Sequence, residues 1–162
     1  MRKCQFNVTA NKAFPEVINA CAEAPRSETW ISHEFEATTN ELHEKGYAHS
    51  VEVWDEERLI GGLFGLGFNG VFSGLSMFYI ESNASKLALI ALMQHLHKRG
   101  YAFCDAQFHS EHLEQFGCSK LDSPEYERRL KDATMMVDVS FADDMSPFEL
   151  NPVPVRDLKL LP

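Results

Sequence analysis

The feature that most constrains this chain is the order in which pattern types follow one another between Ser50 and Gln107. Ser50-Val51-Glu52-Val53-Trp54 alternates with a period of two, and Asp55-Glu56-Glu57-Arg58 is polar. Leu59 to Phe68 is apolar but interrupted by Gly61, Gly62, Gly65 and Gly67. Asn69-Gly70 then separates that run from Val71 to Ile80, and Asn-Gly between apolar runs is a strong hairpin signal. The pattern predicts a three-stranded antiparallel meander. At Ala84 the period changes: Leu89, Leu92, Met93 and Leu96 repeat at helical spacing. Gly100 closes the helix behind Arg99, and Ser82 or Asn83 is placed to cap its start. Tyr101 to Gln107 is short and aromatic and reads as a strand. A strand–helix–strand crossover is right-handed and pairs its strands in parallel. The expectation is an α/β (α+β) domain with a mixed sheet: an antiparallel meander followed by a β-α-β crossover.

The flanks add smaller elements. Residues 1–9 predict a strand over Cys4-Gln5-Phe6-Asn7-Val8. Pro15 suits a first helical turn, with Phe14, Val17, Ile18 and Cys21 on one face, and Pro25 ends that region. Ser32 is a good N-cap with Glu34 in the first turn, and Lys45-Gly46 closes the helix. Ser123-Pro124-Glu125 opens another helix with Ser123 as N-cap, and Thr134 to Val139 reads as a late strand. From Pro147 onward Pro152, Pro154 and Pro162 also occur, so residues 1–146 are expected as one domain and 147–162 as a proline-rich tail. This element order is that of the GNAT-type N-acetyltransferase fold, which specifies architecture without function.

Charge narrows the partners. Fifteen Lys and Arg against 24 Asp and Glu leave a formal net charge of −9. Neutralising phosphates supplies most non-specific nucleic-acid affinity, so this balance argues against tight, autonomous binding of a long duplex. It suits a basic peptide or a small molecule. No apolar run reaches the roughly 18 residues of a membrane span, and no apolar stretch follows Arg2-Lys3, so a cytoplasmic location with no membrane partner is expected. The four cysteines are scattered without a C-x-x-C pair, and the seven histidines lack metal-ligand spacing. Reduced thiols and no metal are expected. Acetyltransferases of this fold bind the coenzyme A pyrophosphate in a glycine-rich, basic crossover loop. Here that loop reads Glu81-Ser82-Asn83-Ala84-Ser85-Lys86, without glycine and opening on a carboxylate. Coenzyme A is therefore not expected as donor, and no cofactor is assigned.

Several strings together resemble one family. They are Tyr47-Ala48-His49-Ser50-Val51-Glu52-Val53-Trp54, Gly61-Gly62-Leu63-Phe64-Gly65, Ser76-Met77-Phe78, Ala84-Ser85-Lys86 and Asp105-Ala106-Gln107. Trp30-Ile31, the helix up to Gly46 and His112 to Gly117 fit the same order. The chain resembles, over about residues 4 to 130, the catalytic domain of leucyl/phenylalanyl-tRNA–protein transferases. The family's N-terminal domain has no counterpart in the string. The resemblance implies transfer of Leu, Phe or Met from a charged tRNA to the N-terminal Lys or Arg of a protein, marking it for degradation. It implies no metal and no coenzyme. The expected partners are an aminoacyl-tRNA, or a smaller aminoacyl donor, and the N-terminus of a protein or peptide. Asp105 and Gln107 match the family's Asp-Cys-Gln and are the expected catalytic residues, Asp105 orienting and Gln107 hydrogen-bonding the attacking amine. Met77 and Phe78, with Ser76 and Gly62, are expected to line the substrate pocket together with apolar residues of the crossover helix. Trp54 is expected to stack on the donor's terminal adenine. Leu75 stands where the family has a glutamate associated with the acceptor amine.

Each of these residues also has a plain structural reading. Asp105 at a strand end caps turns well. Met77 and Phe78 suit a core, Trp54 a packed strand, and the glycines close approach of neighbouring segments. Three functions stay open from the residues: an aminoacyltransferase, a catalytically degenerate binding module of the same fold, and an acyl-CoA-dependent N-acyltransferase.

Overall fold

The computed structural model describes residues 6–25 and 29–150. Their elements run β1 (Asn7–Ala10), α1 (Phe14–Glu23), α2 (His33–Glu44), β2 (Ala48–Asp55), β3 (Arg58–Phe68), β4 (Val71–Tyr79), α3 (Ala84–Arg99), β5 (Phe103–Asp105), α4 (Glu111–Glu114), α5 (Ser123–Thr134) and β6 (Phe148–Leu150). They build one six-stranded sheet in the order β5-β4-β3-β2-β1-β6. The meander β2-β3-β4 is antiparallel, and β5 pairs with β4 in parallel through Val71↔Phe103, Phe72↔Cys104 and Ser73↔Asp105. The expected mixed sheet with its β-α-β crossover is the observed one.

Helices cover both faces, so β2 and β3 are buried nearly along their length rather than alternating core and solvent, whereas β4 is half-buried over Ser73 to Met77. On one face Phe14, Val17, Ile18 and Cys21 of α1 pack with Ile31, Phe64 and Phe78. On the other, α3 packs against Val51, Val53, Ile60, Leu63 and Phe72. The buried face of α3 is not the leucine stripe expected from the pattern. Ala84, Ala88, Ala91, Leu92 and Leu96 face the sheet, whereas Met93 is exposed. Small residues win because the helix start lies directly on β3: a Cβ on Gly61 would stand 2.6 Å from Cβ of Ala84.

Helix starts are held in different ways. Ser32 Oγ accepts from Phe35 N at 3.2 Å, as its N-cap position predicts. The N-cap of α5 is Asp122, not Ser123, with Oδ1 accepting from Glu125 N at 2.9 Å. Of Ser82 and Asn83, Asn83 is the N-cap residue of α3, but it takes a left-handed conformation (φ 69) and makes no side-chain capping hydrogen bond.

Three further expectations change. The predicted first strand begins only at Asn7, and Cys4 and Gln5 lie outside the described residues. Thr134 to Val139 is not a strand. Thr134 ends α5, and the carbonyls of Ala133 and Thr134 are taken by Gly70 N (3.0 Å) and Asn69 Nδ2 (2.5 Å) of the β3–β4 turn. The helix C-terminus thus spends these two carbonyls on a hairpin turn. Finally, part of the expected tail is sheet: Phe148–Leu150 pairs antiparallel with β1, and Leu150 is buried. The alternation Phe148, Glu149, Leu150 supplied that pattern, but the surrounding prolines obscured it.

Candidate active site

β5 leaves the sheet after Asp105, while β4 continues for six more residues to Tyr79. The divergence exposes the end of β5 beside the middle of β4, and there the Asp105–Gln107 pair sits. Sequence alternation would place the two side chains on one strand face. The structure pairs them through a turn instead. Gln107 lies beyond the strand in a left-handed conformation (φ 61), and its N–H donates to Asp105 Oδ1 at 2.7 Å. Gln107 Nε2 donates to Ser73 Oγ at 2.9 Å, so the amide is held against β4 although the side chain is exposed. The other carboxylate oxygen, Asp105 Oδ2, accepts from Tyr126 Oη at 2.8 Å. That hydrogen bond, ahead of burial, raises the Tyr126 phenol above its ordinary pKa.

Ser73 and Tyr126 were not singled out from the sequence. Ser73 was legible in principle, because a parallel β4–β5 pair must set something opposite Asp105. Tyr126 was not: it is 21 residues from Asp105 on a separate helix.

The other predicted residues divide between the two faces of the sheet. Met77 is partly buried and packs against the α3-side cluster, as Leu89 and Cys104 do at other points of it. Cys104 is buried enough that its thiol is pushed up to about 12, which makes it an inert apolar wall rather than a nucleophile. Phe78 points the other way, into the α1/α2 cluster, and is 5% exposed. Met77 and Phe78 therefore do not line one pocket, as adjacent residues of a strand cannot. Gly62 pairs with Phe78 and is buried; a Cβ there would stand 2.7 Å from the Val51 carbonyl oxygen and 3.2 Å from the Phe78 ring. Its missing side chain serves packing within the chain. Ser76 is half-buried on β4 opposite Phe64. Leu75 lies at the bulge that shifts the β3–β4 register, and its side chain packs on the α1/α2 cluster.

Trp54 is three strands from Asp105 in the sheet order and is already engaged. Its Nε1 donates to Thr9 Oγ1 at 2.8 Å, and Lys12 Nζ lies 4.8 Å from the ring centroid. Trp30 is the more accessible indole: it is 50% exposed and meets Phe35 edge-on. The crossover loop also differs from expectation. Glu81 is turned to Arg58 at 2.8 Å, and a cleft of about 400 Å³ lined by Tyr79, Ser82, Asn83, Ser85, Lys86 and His112 lies at the start of α3.

Behind Trp54 lies a second polar cluster, also missed. Glu52 is fully buried on β2. Its carboxyl receives Thr9 Oγ1 (2.5 Å), Ser50 Oγ, and the N–H groups of Lys12 and Ala13 (3.4 Å each) at the start of α1. Burial raises its pKa, against the opposing pull of those donors. Next door His49 is buried, stacked on Phe141 at 4.2 Å, and lowered to about 4 by burial.

A six-stranded mixed sheet with an antiparallel meander and a parallel β-α-β return is a GNAT-like fold. Comparison with known proteins gives the family. A model described as leucyl/phenylalanyl-tRNA protein transferase matches residues 1–131, and the chain belongs to that family. It is 48% identical over 130 residues to a leucyl/phenylalanyl-tRNA–protein transferase of Salinibacter ruber, covering 80% of this chain and 57% of the relative. It is 42% identical over 133 residues to the one of Lawsonia intracellularis (80% and 58% covered) and 45% over 128 to that of Shewanella oneidensis (78% and 54%). The chain thus spans a little over half the length of these curated relatives. Among the described residues no helix is long and apolar enough to cross a membrane.

Proposed function

We propose that this chain transfers a hydrophobic aminoacyl group from an aminoacyl ester, such as the charged end of a tRNA, to the N-terminal amine of a protein or peptide. The observation that carries the reading is the Asp105–Gln107 pair, exposed at the β4–β5 splay and locked by Ser73 and Tyr126.

The chemistry asks little of the protein beyond position, because an ester is already activated. The acceptor ammonium first loses a proton to solvent. Its nitrogen then attacks the ester carbonyl, a C–N bond forms, and the bond to the ribose oxygen breaks. A second proton passes from the nitrogen to that oxygen, which leaves as a hydroxyl. Gln107 is no base, but its amide oxygen accepts from the amine N–H and orients the lone pair. Asp105 holds the Gln107 backbone and offers negative charge where the nitrogen becomes positive. Met77, half-buried at the edge of the α3-side core, offers an apolar surface for the transferred side chain. Trp30, as the accessible indole, is better placed than Trp54 to stack on a donor base.

Incubation with labelled Leu-tRNA or Phe-tRNA and a peptide beginning with Lys or Arg tests the reading. Label in the peptide is expected; its absence across several donors overturns it. A second reading, a binding module without catalysis, is favoured by one observation: Leu75 packs an apolar side chain on the α1/α2 cluster at the position where the family resemblance implies a carboxylate.

A further inference from the structure

We propose that Tyr126 is the positioning residue of the site: its phenol fixes the Asp105 carboxylate, and through it the conformation of Gln107. The proposal rests on the aminoacyl-transfer reading above and adds a residue to it.

The two oxygens of Asp105 have separate partners. Oδ1 accepts from Gln107 N at 2.7 Å, and this bond holds Gln107 in the left-handed region, which an L-residue with a Cβ leaves readily. The carboxylate torsion is broad, so one hydrogen bond alone lets the group swing. Tyr126 Oη on Oδ2 at 2.8 Å is the second fixed point. With both oxygens held, the Gln107 amide is presented to Ser73 in one orientation.

The phenol is itself held. Its ring meets Phe103 of β5 edge-on at 6.1 Å. Its helix is capped at the start by Asp122, and its last turn is bonded to the β3–β4 turn through Ala133 and Thr134. Helix α5 therefore spans from the hairpin of the meander to the end of β5, and Tyr126 is the only hydroxyl it sends to Asp105 among the described residues. Tyr126 does not touch the reacting atoms; it acts on the pair that does.

Tyr126→Phe keeps the ring against Phe103 and removes only the hydroxyl. In steady-state transfer from Leu-tRNA or Phe-tRNA to a peptide beginning with Lys or Arg, kcat is expected to fall at least about tenfold, as for loss of a hydrogen bond to a charged group. KM for the donor stays within about twofold, and thermal unfolding stays cooperative. Amide hydrogen exchange gives a readout independent of turnover: Gln107 N–H exchange is expected to accelerate about tenfold in the variant while that of Gly70 is unchanged. Unchanged kcat, or a fall in kcat without faster Gln107 exchange, overturns the proposal. A wild-type chain that transfers nothing to any acceptor overturns the functional reading itself, a result separate from an active wild type indifferent to Tyr126→Phe.

Discussion

Two carboxylates, Glu52 and Asp105, sit three strands apart in one sheet and are treated in opposite ways. Glu52 is fully buried and ringed by four donors from β1, β2 and the start of α1. Asp105 is half-buried at a sheet edge with two donors, one from its own turn and one from a remote helix. The first arrangement ties elements together: α1 has no side-chain cap of its own, and Glu52 meets the N–H groups at its start instead. The second arrangement orders an exposed turn, the one proposed above to serve the transfer. Burial and donor count separate a carboxylate that ties elements together from one that holds a surface turn, although both are acidic residues on strands.

The comparison breaks most sharply under Glu52→Ala. It strands two hydroxyls and two N–H groups in the core and is expected to cost about 4 kcal/mol of stability, measured by denaturant unfolding. Glu52→Gln, which keeps an acceptor, should lose far less. If Ala is tolerated within about 1 kcal/mol, Glu52 does not organise this corner.

Titration gives the next largest effect, and the two buried groups oppose each other. Glu52 is raised, so the folded state holds its proton more tightly. That stability is complete below the ordinary 4.5 and is lost as pH rises through the folded value. His49 is lowered from 6.5 to about 4, so the unfolded chain binds protons first as pH falls. Its contribution is complete above pH 6.5 and declines down to about 4, by about 3 kcal/mol in all. Unfolding measured across this range in wild type and His49→Gln should show the acid-side loss flattened in the variant. An unchanged slope would mean that His49 is not buried neutral.

At the Asp105–Gln107 turn the proposed function places the expected effects on rate rather than stability. Gln107→Ala should lower kcat about a hundredfold while leaving the unfolding midpoint within about 0.5 kcal/mol, because the side chain is exposed. A comparable loss of stability would return the Asp105–Gln107 turn to an ordinary structural role. The smallest effect sharpens the tryptophans. Trp30→Ala should raise KM for an aminoacyl-tRNA roughly tenfold through lost base stacking. Trp54→Ala should instead cost about 2 kcal/mol of stability with little change in KM, since its ring already serves Thr9 and Lys12.

How much was legible beforehand follows the range of the interactions. The meander, the Asn69-Gly70 turn, helix α3 and the parallel return at β5 were visible because each is encoded over a few neighbouring residues. Asp105 and Gln107 were visible through motif resemblance, but the turn that pairs them, with Gln107 at φ 61, was not. The pocket assignment of Phe78 failed on a rule the sequence already contained: neighbours in a strand face opposite ways. Trp54 misled because exposure depends on what arrives from β1 and the loop after it. Glu52 passed as one polar position in an alternating strand, when α1 on one face and α3 on the other bury both sides of that sheet.

The sequence by itself determined the order of elements, the crossover and therefore the splayed edge on which a site could form, since hydrophobic period and turn chemistry are local. Only the tertiary structure decided which residues furnish that site. Ser73 reaches Gln107 across strands, and Tyr126 reaches Asp105 from a helix 21 residues on. No spacing rule connects such residues, because their proximity is created by packing α5 against the hairpin and not by any periodicity along the chain.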